Sequence, residues 1–159
     1  AFINQNFERP ITDDLFVGLE NDIIAVFEKI GSDFAKHLVN KAADYDLETL
    51  VSDVFDILAQ YAVGCLFIEK NQFDFKFLAE HYRAYRKKFL ETMTQYLTAF
   101  VESGKVRPLE QLELTTTLII EILSWWAMDI RYTSFETQDI PPELAKKICI
   151  DNIISAYKS

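Results

Sequence analysis

Glycine, proline, cysteine and histidine are all scarce in this 159-residue chain, with 4, 4, 2 and 2 copies, and each scarcity removes a class of function. The glycines at 18, 31, 64 and 104 form no phosphate-cradling loop, no dinucleotide fingerprint and no Gly-x-Ser-x-Gly elbow for a nucleophilic serine. His37 and His81 are isolated, with no second His or Cys at ligand spacing, and no Glu-x-x-His pattern accompanies them. Cys65 and Cys149 lie far apart inside apolar helical patterns, which suits buried thiols better than a disulfide framework or a metal site. Glu69 with Glu80, and Asp53 with Asp56, fall where helix faces are solvated rather than where paired carboxylates do acid–base work. No catalytic residue, metal site or cofactor is therefore expected, and the chain reads as a binding protein rather than an enzyme.

Positive charge is also in the minority. The chain has 16 basic and 25 acidic side chains and a net charge of −9, a field that repels nucleic-acid phosphates and anionic membrane surfaces. The basic cluster Arg83, Arg86, Lys87 and Lys88 reads as the solvated side of a helix. No apolar run reaches the ~20 residues that span a bilayer; the longest, over 118–130, is interrupted by Glu121, Ser124 and Asp129. Residues 1–10 lack the basic stretch, apolar run and small-residue cleavage site of a secretory signal, so a cytoplasmic location without membrane contact is expected.

What the chain does have is apolar periodicity. Half of its residues are apolar, enough for one domain, 1–159, with a real core. Leu15, Leu19, Ile23, Val26, Phe27, Ile30, Phe34 and Leu38 recur at helical spacing over 13–43, with Gly31 a candidate bend. Asp46 is a good N-cap for a second helix reaching Asn71, with Leu50, Val51, Val54, Leu58, Tyr61, Ala62, Cys65 and Ile68 on one stripe. A third carries Tyr82, Tyr85, Phe89, Met93, Tyr96 or Leu97, and Phe100 and stops at Gly104. The fourth follows Pro108 and covers 109–132, and Pro141 and Pro142 open a fifth that ends at Tyr157. The expected fold is all-α, an antiparallel bundle of about five to six helices.

The fourth helix is apolar on two faces. Leu112, Ile119, Leu123, Trp126 and Ile130 fill one; Leu114, Leu118, Ile122, Trp125 and Tyr132 fill another about a third of a turn away, beside Asp129. The last helix has a similar excess. One face serves the core and the other needs a partner, so a two-fold homodimer through the last two long helices is expected, with Leu118, Ile122, Trp125, Ile150, Ile153 and Tyr157 at the interface. The 13 Phe, 7 Tyr and 2 Trp also exceed what a small bundle requires. Tyr61, Cys65, Phe89, Met93, Tyr96 and Trp126, on the inward stripes of three helices, are candidates for lining a small-molecule pocket; the alternative is that all six are simply core.

Residues 96–108, with Gly104-Lys105-Val106-Arg107-Pro108 linking a helix to the very apolar 122–128, resemble a junction of TetR-type transcriptional regulators. The terminal Ile153-Ile154-Ser155-Ala156-Tyr157-Lys158 is similar to the end of their last helix, and the likeness covers about residues 46–159. The resemblance implies a TetR C-terminal-domain-like fold that binds a small, hydrophobic or aromatic effector and dimerises through its last two helices. The helix-turn-helix head that reads DNA in such regulators is not found in residues 1–22, which are too short and too acidic for one. DNA is thus expected as a partner only through a domain missing from this chain. The competing reading is a ligand-free helical dimerisation or scaffold module.

Overall fold

The computed structural model describes residues 13–40 and 42–159, with side chains from Gly18 onward. The side chain of Leu15, and the segment 1–10 that carries the reading of sorting signals, lie outside the described residues. The elements are α1 (Asp13–Val39), α2 (Leu47–Gln60), α3 (Ala62–Lys70), α4 (Lys76–Glu102), α5 (Leu112–Ser124), a π-helical turn (Trp125–Asp129), α6 (Ile130–Tyr132) and α7 (Pro142–Tyr157). The fold is all-helical. With α5, the π turn and α6 counted as one rod, six helices are present among the described residues. No single helix among them is long and apolar enough to cross a membrane.

Each end follows from local chemistry. Asp46 caps α2 by accepting the Thr49 backbone N–H at 2.9 Å, satisfying one of the orphan donors of the first turn. Gly104 stops α4 in the left-handed region, at φ 78°, where a side chain would be strained. Gln111 takes the same region, at φ 49°, so the fourth helix starts at Leu112 and not at Leu109 as its apolar pattern suggests. Helix α1 runs unbroken through Gly31 but stops at Val39, short of Ala43.

The second predicted helix is two. It breaks at Tyr61, and α3 leaves α2 at an angle of 63°. One apolar stripe thereby serves two sets of neighbours: α2 lies against α7 and α5, while α3 turns toward α4, and both touch the π turn. Nothing local enforces the break; packing against different partners selects it.

Helix directions also depart from the antiparallel expectation at one pair. Phe27 meets Tyr82 and Tyr85, and Phe34 meets Phe89 and Tyr96, so contacts ascend together and α1 runs parallel to α4. The intervening α2 and α3 return the chain to the starting end, which is what permits it. Between α2 and α7 the order reverses, with Asp56 paired to Lys146 at 2.9 Å and Leu47 near Ile154. The core is fully enclosed at Leu50, Val51, Val54, Met93, Leu97, Ile119 and Leu123, whose apolar burial drives the assembly.

The link 104–108 is a staple. Val106 is buried; Lys105 Nζ donates to the carbonyls of Ala43 and Tyr45 at 2.6 and 2.9 Å. The Arg107 backbone N–H donates to the Tyr157 carbonyl at 3.0 Å and its Nε to the Ala156 carbonyl at 2.8 Å. Two cationic side chains thus satisfy carbonyls at the α1–α2 connection and at the C-terminal end of α7, where the helix dipole favours positive charge. Tyr157, expected at the dimer interface, sits beneath the Arg107 guanidinium at 5.5 Å within the same chain.

Candidate ligand-binding cleft

Where α3 swings away from α2, a half-open cleft of about 790 Å³ opens between α2, α3, α4, α5 and the π turn. Its volume falls within the range of roughly 300–1,000 Å³ typical of small-molecule sites. The floor is apolar and aromatic, with Ile57, Leu58, Tyr61, Cys65, Tyr82, Tyr85, Phe89 and Ile120 among its lining residues. Charged groups border it from two sides, Arg83, Arg86 and Lys87 on α4 against Glu121 on α5 and Asp129 on the π turn, with Glu69 of α3 beside them.

Of the six residues that the sequence offered for a pocket, Tyr61, Cys65 and Phe89 line this cleft. Met93 and Tyr96 do not: both are enclosed in the core, and the Tyr96 hydroxyl donates to the Phe34 carbonyl. Trp126 is half-buried against the core, and the cleft is lined by its neighbour Trp125, which the sequence placed at the interface. Trp125 continues the four-residue spacing of Thr117 and Glu121, which line the same cleft. Across the π turn the inward positions after Leu123 are Ala127, Met128 and Ile130, which leaves Trp126 half-buried at their edge.

Among the other interface candidates, Leu118 is 50 % exposed and Trp125 46 %, and Ile122 and Ile150 are partly buried against the core. Ile153 is corrected: at 2 % exposure it belongs to the core of its own chain, because α7 turns Ala145, Cys149 and Ile153 inward at four-residue spacing. Leu144 and Ile148, at 51 % and 49 % exposure, occupy the outward side of that helix instead.

Residues that the sequence assigned to solvated helix faces complete the cleft. Glu69 accepts the Tyr82 hydroxyl at 2.9 Å and the Arg86 guanidinium at 2.9 Å, and Arg86 lies 5.7 Å from the centre of the Tyr82 ring. Arg83 donates to Gln72 Oε1 at 2.8 Å. Arg83, Arg86 and Lys87 are exposed, as their helical phase implies, yet all three also border the cleft. Their spacing from Tyr82, Tyr85 and Phe89 was the available signal, but a helical wheel does not say which flank is roofed by another helix.

Burial pushes the Tyr82 and Tyr85 hydroxyls well above the usual phenol range. It also raises the Cys65 thiol, partly opposed by a hydrogen bond with Tyr82. All three stay protonated at neutral pH, so the floor holds neutral donors and no activated nucleophile. The Tyr85 hydroxyl has no hydrogen-bond partner among the described residues.

Tyr85 and Phe89 have a second role. They also line a smaller cavity of about 450 Å³ between α1 and α4. Tyr85 stacks on Phe27 with ring centres 4.9 Å apart, and Phe89 on Phe34 at 4.3 Å. Two rings of α4 are thus a shared wall, touching the cleft on one side and α1 on the other. His37 stacks on Tyr45 at 4.1 Å and His81 meets the edge of Phe77 at 4.5 Å, both away from the large cleft. Among the described residues no group of three His, Cys, Asp or Glu side chains could hold a metal ion.

No family model, curated protein or solved structure matches the chain.

Proposed function

We propose that this chain is the sensory and dimerising domain of a TetR-like transcriptional regulator, cytoplasmic and without catalytic activity. Its effector is a small molecule with an apolar or aromatic body, and its operator contacts belong to a separate helix-turn-helix head. The observation that carries this reading is the cleft of about 790 Å³ with its aromatic floor and charged rim, a composition suited to fixing a small ligand's orientation. The exposed apolar residues Leu114 and Leu118 on α5, and Leu144 and Ile148 on α7, favour a second copy as the partner.

The shared wall supplies a route for regulation. An effector resting on Tyr85 and Phe89 presses on rings that stack against Phe27 and Phe34, so its affinity depends on where α1 sits. In the full regulator such a difference in affinity shifts the equilibrium between DNA-bound and released dimers, with a coupling typically of ~1–3 kcal/mol.

Native mass spectrometry of the purified chain tests the reading, because one spectrum reports subunit number and any small molecule carried from the expression host. A dimer with added ligand mass is the expected result. A strict monomer would remove the dimerising half of the proposal. A clean dimer whose melting temperature no apolar ligand raises would favour the scaffold reading instead.

A further inference from the structure

We infer that the cleft selects an organic cation, a body of apolar rings carrying a protonated or permanent positive charge. The inference rests on reading the cleft as a ligand site, and adds the sign of the ligand's charge. Six ionised side chains line the cleft, three of each sign, so a tally does not decide; position does. Arg83, Arg86, Lys87 and Glu121 are exposed, whereas Glu69 and Asp129 are half-buried. Exposed charges are screened by water, and those set into the protein act through a lower effective dielectric, so Glu69 and Asp129 weigh more inside the cleft.

Existing bonds point the same way. Glu69 and Arg86 neutralise each other at 2.9 Å. Glu121 has no ion pair among the described residues, and Asp129 accepts only the Thr133 hydroxyl, at 3.2 Å, besides its backbone bonds. These two carboxylates flank Trp125 at four-residue spacing, Glu121, Trp125 and Asp129, and all three line the cleft. The opposite wall offers Tyr82, Tyr85 and Phe89, whose ring faces attract positive charge. Tyr82 already holds the Arg86 guanidinium 5.7 Å from its centre. The net charge of −9 further favours the approach of cations. An anion would have to place its charge on exposed Lys87 and Arg83 and leave the half-buried Asp129 unanswered.

Tetraphenylphosphonium and tetraphenylborate, nearly identical in shape and opposite in charge, test this with neutral triphenylphosphine oxide as the third probe. In calorimetric titration of the full chain the phosphonium should bind about tenfold or more tightly than either of the others, the scale set by one half-buried and one exposed carboxylate together with aromatic faces. Replacing the pair together, Glu121→Gln with Asp129→Asn, should lower phosphonium affinity by about tenfold while leaving the neutral probe unchanged. Borate binding as tightly as phosphonium, or a double variant that retains full phosphonium affinity, would overturn the charge inference and leave the cleft as a ligand site. Failure of all three probes to bind would overturn the inference together with the reading on which it rests.

Discussion

Removing the Phe89 ring should damage both the core and the wall between the two cavities. Phe89 is 7 % exposed and stacks on Phe34 with centres 4.3 Å apart and planes 9° from parallel; Tyr85 flanks it at 6.0 Å. Phe→Ala substitutions in cores cost roughly 3–5 kcal/mol, the sum of lost transfer energy and the void left behind, and an aromatic pair adds about 0.5–1.5 kcal/mol beyond area. Here the void joins clefts of about 790 and 450 Å³ that already border the ring. Water can enter it, which relieves part of the cavity term. The expected cost is therefore at the low end, about 3 kcal/mol. For a chain of this size that corresponds to a melting temperature lower by roughly 6–12 °C. Hydrogen exchange should quicken in α1 around Phe34, which loses its stacking partner. Phe73→Ala is the control: its side chain is 80 % exposed, and its loss should change stability by less than about 0.5 kcal/mol. Equal melting temperatures for the two variants would refute the shared wall.

Three further outcomes follow from the geometry. Leu118→Glu combined with Leu144→Glu should convert a dimer to monomer in analytical ultracentrifugation, because both side chains are exposed in the single chain and each would bury a charge in the proposed interface; a variant that sediments unchanged would locate the interface elsewhere. Asp46→Ala should cost about 1 kcal/mol at neutral pH through loss of the α2 cap. The Thr49 N–H holds the Asp46 carboxyl below its ordinary value of 3.8, so the cap's contribution is present above that pH and lost as pH falls through the lowered value. The stability gap between wild type and Asp46→Ala, followed by denaturant melts, should close only in that acid window. Gly104→Ala should cost about 1–2 kcal/mol from the left-handed backbone alone, since a Cβ there meets nothing within 4 Å; a much larger loss in thermal melts would mean that the staple at 105–107 shifts as well.

The apolar periodicity determined by itself that the chain is helical, where most helices lie, and that Cys65 and Cys149 are buried and unpaired. Asp46 and Gly104 were legible as ends because caps are local chemistry, set by one side chain or one φ angle. The exposed Leu118 and Trp125 were legible too, since a second apolar face shows in a single helix. Which inward residues face a void and which face another side chain was decided by the tertiary structure. Tyr61, Cys65, Met93 and Tyr96 share the same pattern, yet a 63° break at Tyr61 opens a cleft beside the first two while Met93 and Tyr96 are sealed by the core. The exchange of Trp126 for Trp125 has a similar origin, for Thr117, Glu121 and Trp125 form the flank of the rod that α3 and α4 leave open. The parallel course of α1 and α4, and the opposed charges across the cleft, depend on contacts between residues dozens of positions apart. Periodicity reports how one helix is divided between inside and outside. What fills the inside is fixed only when the helices meet.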